Sequence, residues 1–177
     1  MYHIALDTYV VPDGGFRSVN DFFTRASRPN YRMFPTEPSS LGSPVDGCVE
    51  VFQNITSTQD FFVKGYHANL EELFGPKITD FLGGDVCFCR LRFSDYHRFH
   101  FFDEGKVLSV AERSGPLYSV DNDVLDTGLW VHNKSHCMLL TTLHFGEVLC
   151  LEVGATNVGS IINHKKIEDT FSRGEEK

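Results

Sequence analysis

The chain has 177 residues, a length typical of one domain, and 41% of them are hydrophobic, with 16 phenylalanines. This composition supports a packed core and excludes an intrinsically disordered chain. The formal net charge of −8 argues against nucleic acid as a partner and against attraction of the whole surface to anionic lipid, although a local basic patch could still bind lipid.

The five cysteines and the apolar runs bound the class of protein further. No Cys-x-x-Cys pair is present, so the cysteines are predicted to be reduced and buried, without a zinc site or a disulfide framework. No apolar run approaches the roughly 18 residues of a membrane span, and residues 1–8 lack the basic and apolar segments of a signal peptide. We therefore predict a soluble or peripherally membrane-associated chain, in a compartment that the sequence does not specify.

The N-terminal region predicts an arm followed by a helix. Residues 1–17 contain a short apolar run and the turn Pro12-Asp-Gly-Gly15. Ser18 and Asp21 resemble a capping box, which predicts a helix that ends at Pro29. The stretch after Pro29 is rich in proline and predicts an extended loop.

Two polar features of this region have both structural and functional interpretations. The cluster of Arg25, Arg28 and Arg32 is either a solvated face or a seat for a phosphate-bearing headgroup, which the guanidinium fork suits. Asp46 follows Pro44 and precedes Gly47, a place where an aspartate usually bonds the backbone of its own turn.

The rest of the chain predicts an α+β domain, residues 1–177, of mostly antiparallel sheets with a few short helices near the N-terminal half. Asn69 is the predicted cap of a helix that stops at Gly75. A polar tail with few anchors is predicted over residues 163–177. Alternation and turn residues predict a turn and a strand over residues 41–54, and strands over residues 61–66, 86–93, 106–113, 129–132, 137–145 and 148–154.

The stretch from Arg90 to Gly105 holds the strongest candidate for chemistry. His97 and His100 lie three residues apart, beside Asp95 and several aromatic residues. Histidine titrates near neutral pH, so a positioned pair suits proton transfer or metal binding, whereas the structural alternative is two half-buried histidines in an aromatic patch. Residues three apart share a face on a helix and point to opposite sides on a strand.

Two other constellations are weaker. His132 and His136 are four residues apart, a metal-binding spacing on a helix, but strands are predicted around them, so a metal site is not expected. Gly154 and Gly159 imitate a phosphate-binding loop that lacks its lysine, and they more naturally mark close backbone approach between strands.

Six short motifs resemble the phosphatidylserine decarboxylase family, and they occur in that family's order between Phe22 and Lys177. The run Asp95-Tyr-His-Arg-x-His100 resembles its histidine signature. The other five are Phe22-Phe23-Thr24-Arg25 with Arg28-Pro29, Ser43-Pro44-Val45-Asp46-Gly47, Val63-Lys64-Gly65, Val153-Gly154-Ala155 with Val158-Gly159, and Arg173-Gly174-Glu175-Glu176-Lys177.

The resemblance implies a proenzyme that cleaves itself before a serine, which becomes the pyruvoyl group of a small chain. That covalent group is the electron sink for loss of carbon dioxide from phosphatidylserine, giving phosphatidylethanolamine. It implies that Asp46 and His100 activate the serine, and that His97 serves decarboxylation. Tyr96, Arg98 and Lys64 are candidates for substrate binding within these motifs.

The sequence also departs from the family. Residues 163–177 lead toward a Gly-Ser-Thr cleavage motif that residues 1–177 do not contain, so we expect this polypeptide alone to be inactive without the small chain. Asn133-Lys134-Ser135 stands where many members have Asn-Glu-Arg. Three alternatives therefore stay open: a phospholipid decarboxylase with peripheral membrane contact and homodimer formation, a decarboxylase of a soluble amino acid, and a non-catalytic partner that retains the fold.

Overall fold

The structure is a computed structural model that describes residues 4–57, 61–63, 66–121, 124 and 126–177. It confirms the predicted α+β class, with antiparallel sheets and short helices. The helices and strands are α1 (Val19–Phe23), β1 (Cys48–Phe52), β2 (Phe61–Val63), β3 (Tyr66–Ala68), α2 (Leu70–Phe74), β4 (Val86–Arg90), β5 (Gly105–Arg113), β6 (Ser135–Thr142), β7 (Gly146–Val153) and β8 (Thr170–Phe171). Three 3₁₀ turns cover Leu6–Thr8, Pro76–Phe81 and Leu129–His132.

The described strands form one four-stranded sheet and two smaller antiparallel pairs. The large sheet has the order β7-β6-β5-β8, and the pairs are β1-β4 and β2-β3. Strands β6 and β7 form a hairpin whose register runs from Ser135 opposite Val153 to Thr142 opposite Gly146. Both faces of the hairpin carry apolar residues: Met138 and Leu140 belong to one apolar cluster, and Leu149, Leu151 and Val153 pack against another.

Two apolar clusters hold these elements together. One packs Leu70 and Leu73 of α2 against Trp130 and Val131. The other packs Val107 of β5 and the β6 side chains against aromatic residues from outside the sheet's three long strands: Phe101, Phe102 and Phe171. The second cluster lies directly after the histidine stretch, so it fixes the chain there from its C-terminal side.

Both predicted helix caps are present. Ser18 Oγ accepts a hydrogen bond from the Asp21 backbone N–H at 3.0 Å, and Asn69 Oδ1 accepts one from Glu71 N–H at 2.8 Å. Helix α1 ends at Phe23, however, well before Pro29. The prediction that Pro29 ends it was therefore wrong: the chain leaves the helix at Thr24 to place Arg25 in the interior.

Several strand predictions need correction. Residues 129–132 form a 3₁₀ turn instead of a strand, because Gly128 enters the left-handed region (φ 70°) and reverses the chain. The segment predicted as one strand over residues 61–66 contains β2 and the start of β3. The strand predicted over 86–93 ends at Arg90, where the histidine stretch begins as irregular backbone.

The prediction of a weakly anchored tail was wrong. Thr170 and Phe171 pair with β5, and Phe171 is only 4% exposed. Its ring stacks on Phe101 with centroids 3.9 Å apart and an interplanar angle of 8°. The prediction relied on the charges in this segment, but the fold is held there by one aromatic residue and by backbone pairing.

The cysteine prediction was half right. All five are free thiols, but Cys48 and Cys87 are exposed, and the other three are only partly buried. Burial raises the pKa of the Cys150 thiol to about 12. In the described part of the chain, no helix is long and apolar enough to cross a membrane.

Candidate active site

One cavity of about 320 Å³ gathers most of the predicted site residues. Asp46, Tyr96, Arg98 and His100 all line it. Asp46 comes from the turn before β1, whereas the other three come from the irregular segment after β4. The pairing of β1 with β4 brings these two segments together, since Cys48 faces Arg90 across the ladder.

Asp46 is held by Arg32. Arg32 donates from Nη2 to Asp46 Oδ2 at 2.6 Å and from Nε to Oδ1 at 3.1 Å. This two-pronged contact is the geometry that a guanidinium and a carboxylate favour. The structural alternative, in which Asp46 bonds the backbone of its own turn, does not describe this contact, because both of its carboxylate oxygens face Arg32.

The three arginines differ in exposure: Arg25 is buried, Arg32 is half-buried and paired with Asp46, and Arg28 is exposed. Arg25 is 2% exposed and donates to the carbonyl oxygens of Ser94 and Asp95 at 2.7 and 2.9 Å. Arg28 donates to the Tyr9 carbonyl. The cluster ties the N-terminal segment to the histidine stretch.

Arg32 also connects Asp46 to the histidine side of the cavity. Its guanidinium lies 3.9 Å from the centroid of the Tyr96 ring and donates to Ser27 Oγ at 2.8 Å. A cation over an aromatic face is favourable, most of all when the pair is shielded from water. In the sequence Arg32 is one of three neighbouring arginines, and only its contacts in the fold distinguish it from Arg25 and Arg28.

His100 is held from both ring nitrogens. Its Nδ1 lies 2.9 Å from the Gly174 carbonyl oxygen, and its Nε2 lies 3.1 Å from the Tyr96 hydroxyl. A carbonyl oxygen can only accept, so Nδ1 carries the proton. In the neutral ring Nε2 is then an acceptor, which the Tyr96 hydroxyl satisfies.

His97 occupies a different environment. Its ring packs against Phe23 at a tilt of 35° with centroids 3.8 Å apart, and its Nδ1 donates to the Asp95 carbonyl oxygen at 2.9 Å. Burial lowers the pKa of His97, so the ring is neutral at physiological pH with its Nε2 lone pair available. His97 does not line the cavity that holds Asp46 and His100.

The backbone explains the separation of the two imidazoles. Residues 96–99 are neither helix nor strand, and His100 begins a bridge with Glu176. The orientations of His97 and His100 therefore follow neither the rule for a helix, where residues three apart share a face, nor the rule for a strand, where they point to opposite faces.

The candidate substrate-binding residues have distinct positions. Tyr96 is 2% exposed and presents its hydroxyl to His100. Arg98 donates to both carboxylate oxygens of Glu176, at 2.9 and 3.1 Å, and to the Thr24 carbonyl. Lys64 lies outside the described residues.

The C-terminal segment supplies site residues that the sequence reasoning missed. Gly174 accepts from His100, and Glu176 binds Arg98. Arg173 donates to the buried carboxylate of Asp103 at 2.7 Å, which fastens the segment from the other side. The signal that could have found them was the resemblance of residues 173–177 to the run before the family's cleavage motif.

Comparison with known proteins decides the family. The family's sequence profile, described as phosphatidylserine decarboxylase, matches residues 19–177. The chain belongs to the phosphatidylserine decarboxylase family. The histidine signature and the Asp46 motif both lie within the matched region.

Curated relatives of this phosphatidylserine decarboxylase family member are named phosphatidylserine decarboxylase proenzymes. The protein from Ruminiclostridium cellulolyticum is 39% identical over 166 residues, which are 92% of this chain and 55% of its own length. That from Chlamydia felis is 37% identical over 179 residues, 99% of this chain and 60% of its own length. The protein from Fusobacterium nucleatum is 34% identical over 178 residues, which are 98% of this chain and 59% of its own length. The chain thus spans less than two thirds of the length of these relatives.

The glycine and asparagine motifs of this family member have structural roles in the described fold. A Cβ on Gly154 would lie 2.8 Å from the Val158 carbonyl oxygen, as expected for close backbone approach. Asn133 is buried. Its Oδ1 accepts a hydrogen bond from the Tyr118 backbone N–H, and its Nδ2 donates to the carbonyl oxygens of Tyr118 and Gly154. Among the described residues, no group of three or more His, Cys, Asp or Glu side chains could hold a metal ion.

Proposed function

We propose that this chain is the β portion of a pyruvoyl-dependent phosphatidylserine decarboxylase, which converts phosphatidylserine to phosphatidylethanolamine and carbon dioxide. The observation that carries the proposal is the meeting of Asp46 and His100 in one cavity, together with Tyr96 and Arg98. Family membership and the names of the relatives support it. A small chain bearing the pyruvoyl group is the partner that this function requires.

The residues of the cavity fit a serine-derived pyruvoyl group. They provide one imidazole whose Nδ1 donates to the Gly174 carbonyl, one carboxylate paired with Arg32 and the Arg98 guanidinium within a confined volume. Asp46, Tyr96, Arg98 and His100 are the residues that would surround the group. When present, the pyruvoyl carbonyl supplies an electron sink for decarboxylation.

In self-cleavage, His100 is the general base and Asp46 stabilises the charge that develops on it. The Gly174 carbonyl holds the Nδ1 proton, so the lone pair that can take a proton from a hydroxyl is on Nε2. Tyr96 already presents a hydroxyl to that lone pair. A serine hydroxyl would therefore replace Tyr96 as the donor to His100 before cleavage.

In decarboxylation, His97 holds or moves a proton at the substrate carbon. Its lowered pKa keeps it neutral, and its Nδ1–H is committed to the Asp95 carbonyl, so Nε2 is the working nitrogen. Because His97 lies beside Phe23 and not in the cavity of His100, its assignment requires a substrate that reaches both sides of the histidine stretch.

The substrate class follows from the charge and the apolar rim of the cavity. Arg98 and Tyr96 suit the acidic headgroup, with Lys64 as a further candidate. Tyr31 and Met33 also line the cavity and are 57% and 82% exposed, so an apolar lipid tail could lie against them. These residues support a phospholipid at a membrane surface over a free amino acid.

The test uses the full product of the gene, including the segment that carries the cleavage serine. We expect two bands on a denaturing gel, a small chain with the mass of a pyruvoyl terminus, and carbon dioxide release from phosphatidylserine vesicles. Release from free serine but not from vesicles would replace the phospholipid substrate with a soluble amino acid. An uncut, inactive product would overturn the enzymatic proposal in favour of a non-catalytic partner.

Variants of the same protein separate the roles. His100→Ala and Asp46→Ala should leave the chain uncut, because the serine loses its base or the charge that supports it. His97→Ala should be cut but should turn over about 10²–10⁴-fold more slowly, the usual contribution of general acid–base catalysis. His132→Ala is the matched control, since His132 is exposed. Cleavage by His100→Ala and none by His97→Ala would reverse the assignment.

A further inference from the structure

A second cluster of ionisable side chains is buried on the far side of the C-terminal segment. Lys177, Glu152 and His136 are 7%, 9% and 6% exposed. Lys177 Nζ donates to Glu152 Oε1 and, at 2.9 Å, to Asn163 Oδ1. Burying a charged lysine and a charged glutamate costs desolvation free energy unless each has hydrogen-bonding partners, and here both have them.

The orientation of the Asn163 amide defines which atoms donate and which accept hydrogen bonds in this cluster. Lysine can only donate, so the Asn163 atom that faces Lys177 is the carbonyl oxygen. Asn163 Nδ2 therefore faces Glu152 Oε2 at 3.2 Å and His136 Nδ1 at 2.9 Å. Because an amide nitrogen donates, His136 Nδ1 accepts from Asn163, and Glu152 Oε2 lies 3.4 Å from the same ring nitrogen. The Lys177 ammonium and the Glu152 carboxylate form the ion pair of the cluster.

The cluster is connected to His100 through three consecutive residues of backbone. The Lys177 backbone N–H donates to the Phe99 carbonyl at 2.9 Å, and the Phe101 N–H donates to the Glu175 carbonyl at 2.8 Å. Between these bonds Glu176 forms a β-bridge with His100. The Lys177 side chain thus anchors a short extended segment that runs alongside the proposed general base.

We propose that Glu152 is a positioning residue for self-cleavage: through Lys177 it fixes the chain beside His100, with Asn163 orienting its carboxylate. The inference rests on the proposed function, because it concerns the same cleavage. Glu152 does not line the cavity, so it acts through the extended segment and not on the reacting atoms. Loss of the anchor lets that segment shift relative to His100, and displacements of about 1 Å can cost about 10²-fold in rate.

The experiment compares cleavage with turnover in the full-length proenzyme. Glu152→Gln and Lys177→Met should each slow the appearance of the two chains by about 10²-fold. Once cleavage is complete, kcat/KM of the purified cleaved enzyme should stay within about twofold of the unaltered protein, because turnover is assigned to His97 and the base for cleavage is His100. Glu168→Gln is the matched control: Glu168 is 70% exposed and its ion pair with Lys106 lies away from this cluster.

A double variant separates positioning from simple destabilisation. Removing one member leaves the other charge buried and alone, whereas removing both restores neutrality. The Glu152→Gln/Lys177→Met protein should therefore fold even if a single variant does not, and its Gly174–Lys177 amides should exchange hydrogen faster than those of the unaltered protein. Its cleavage should remain slow, because the anchor is absent.

The outcomes distinguish this inference from the proposed function. If the unaltered proenzyme cleaves and all three variants cleave at its rate, Glu152 has no positioning role and the proposed function stands. If cleavage and kcat/KM fall together in a folded variant, Glu152 supports the whole site rather than the cleavage step, and the inference is wrong. If the unaltered proenzyme is neither cleaved nor active, the proposed function itself fails.

Discussion

Individual side chains in this protein gain their roles from the partners that the fold gives them. Arg32 is one of three neighbouring arginines, yet among them it is Arg32 that binds Asp46 and lies over Tyr96. Asp103 is another example. It is fully buried, and its carboxylate accepts from Arg173 Nη2 at 2.7 Å and from His144 Nδ1 and backbone N–H at 2.9 Å each.

The pKa of Asp103 predicts a pH-dependent loss of stability. Burial by itself raises this pKa, but the hydrogen bonds from Arg173 and His144 outweigh it and hold the pKa well below its ordinary value of 3.8. The unfolded chain binds the proton first as the pH falls, so the stabilisation is complete above about pH 5 and is lost progressively below it. We expect the free energy of unfolding to fall between about pH 5 and about pH 2.

Asp103→Asn tests this origin by urea denaturation at several pH values. The variant should lose about 2–4 kcal/mol at neutral pH, because Arg173 and His144 lose a charged partner. Its stability should also decline less between about pH 5 and about pH 2 than that of the unaltered protein. Asp80→Asn, at an exposed position, is the control and should change neither quantity. An unchanged acid slope in Asp103→Asn would contradict the assignment.

At the scale of elements, the turn before β1 aims Asp46 at its partner. Gly47 has φ 137°, and a Cβ there would lie 2.4 Å from the Arg90 carbonyl oxygen. Only glycine allows β1 to leave the turn so close to the end of β4. The β1–β4 pairing, and through it the approach of Asp46 to the histidine stretch, depends on that contact.

Gly47→Ala should therefore damage the site more than an ordinary turn substitution does. Gly14→Ala is the matched control, because Gly14 also has a positive φ (84°) but a Cβ there would meet no other atom within 4 Å. We expect a loss of about 1–2 kcal/mol at Gly14 from the backbone conformation alone. At Gly47 the clash adds to that cost, and cleavage of the full-length protein should slow as Asp46 moves. Equal losses of stability at both positions, measured by urea denaturation, would show that the contact with Arg90 is unimportant.

At the scale of the whole molecule, the C-terminal segment closes the structure. It pairs with β5, inserts Phe171 into the aromatic cluster, and continues past His100 to the buried Lys177. The proposed cleavage chemistry thus takes place beside a segment held at both ends. A segment fastened in this way loses little conformational entropy when the reacting groups meet.

Phe171→Ala tests how much the segment contributes to the fold. Truncating a buried phenylalanine usually costs about 3–5 kcal/mol, and here it also removes the stack on Phe101. The denaturation midpoint should fall accordingly, and amides of residues 170–177 should lose protection from hydrogen exchange before those of β6. Leu143→Ala, at a side chain 63% exposed, should change stability by about 0.5 kcal/mol or less. A small effect of Phe171→Ala would mean that the segment docks only weakly.

The sequence by itself determined the class of the fold and the family. Alternation predicted β5, β6 and β7 to within three residues of their ends, and side-chain caps predicted where α1 and α2 begin, because both signals depend on residues close together in the chain. The six motifs identified the family for the same reason: each is a short local string. Asp46, His97 and His100 could be nominated from those strings without any knowledge of distance.

Only the tertiary structure decided how the nominated residues are arranged. It placed Asp46 and His100 in one cavity, set His97 against Phe23, and assigned Arg32 to Asp46, none of which follows from spacing along an irregular segment. It also anchored a tail whose composition predicted weak attachment. The physical reason is that hydrogen bonds and burial between distant segments depend on the packing of β1 on β4 and of β8 on β5, and local sequence does not encode those distances.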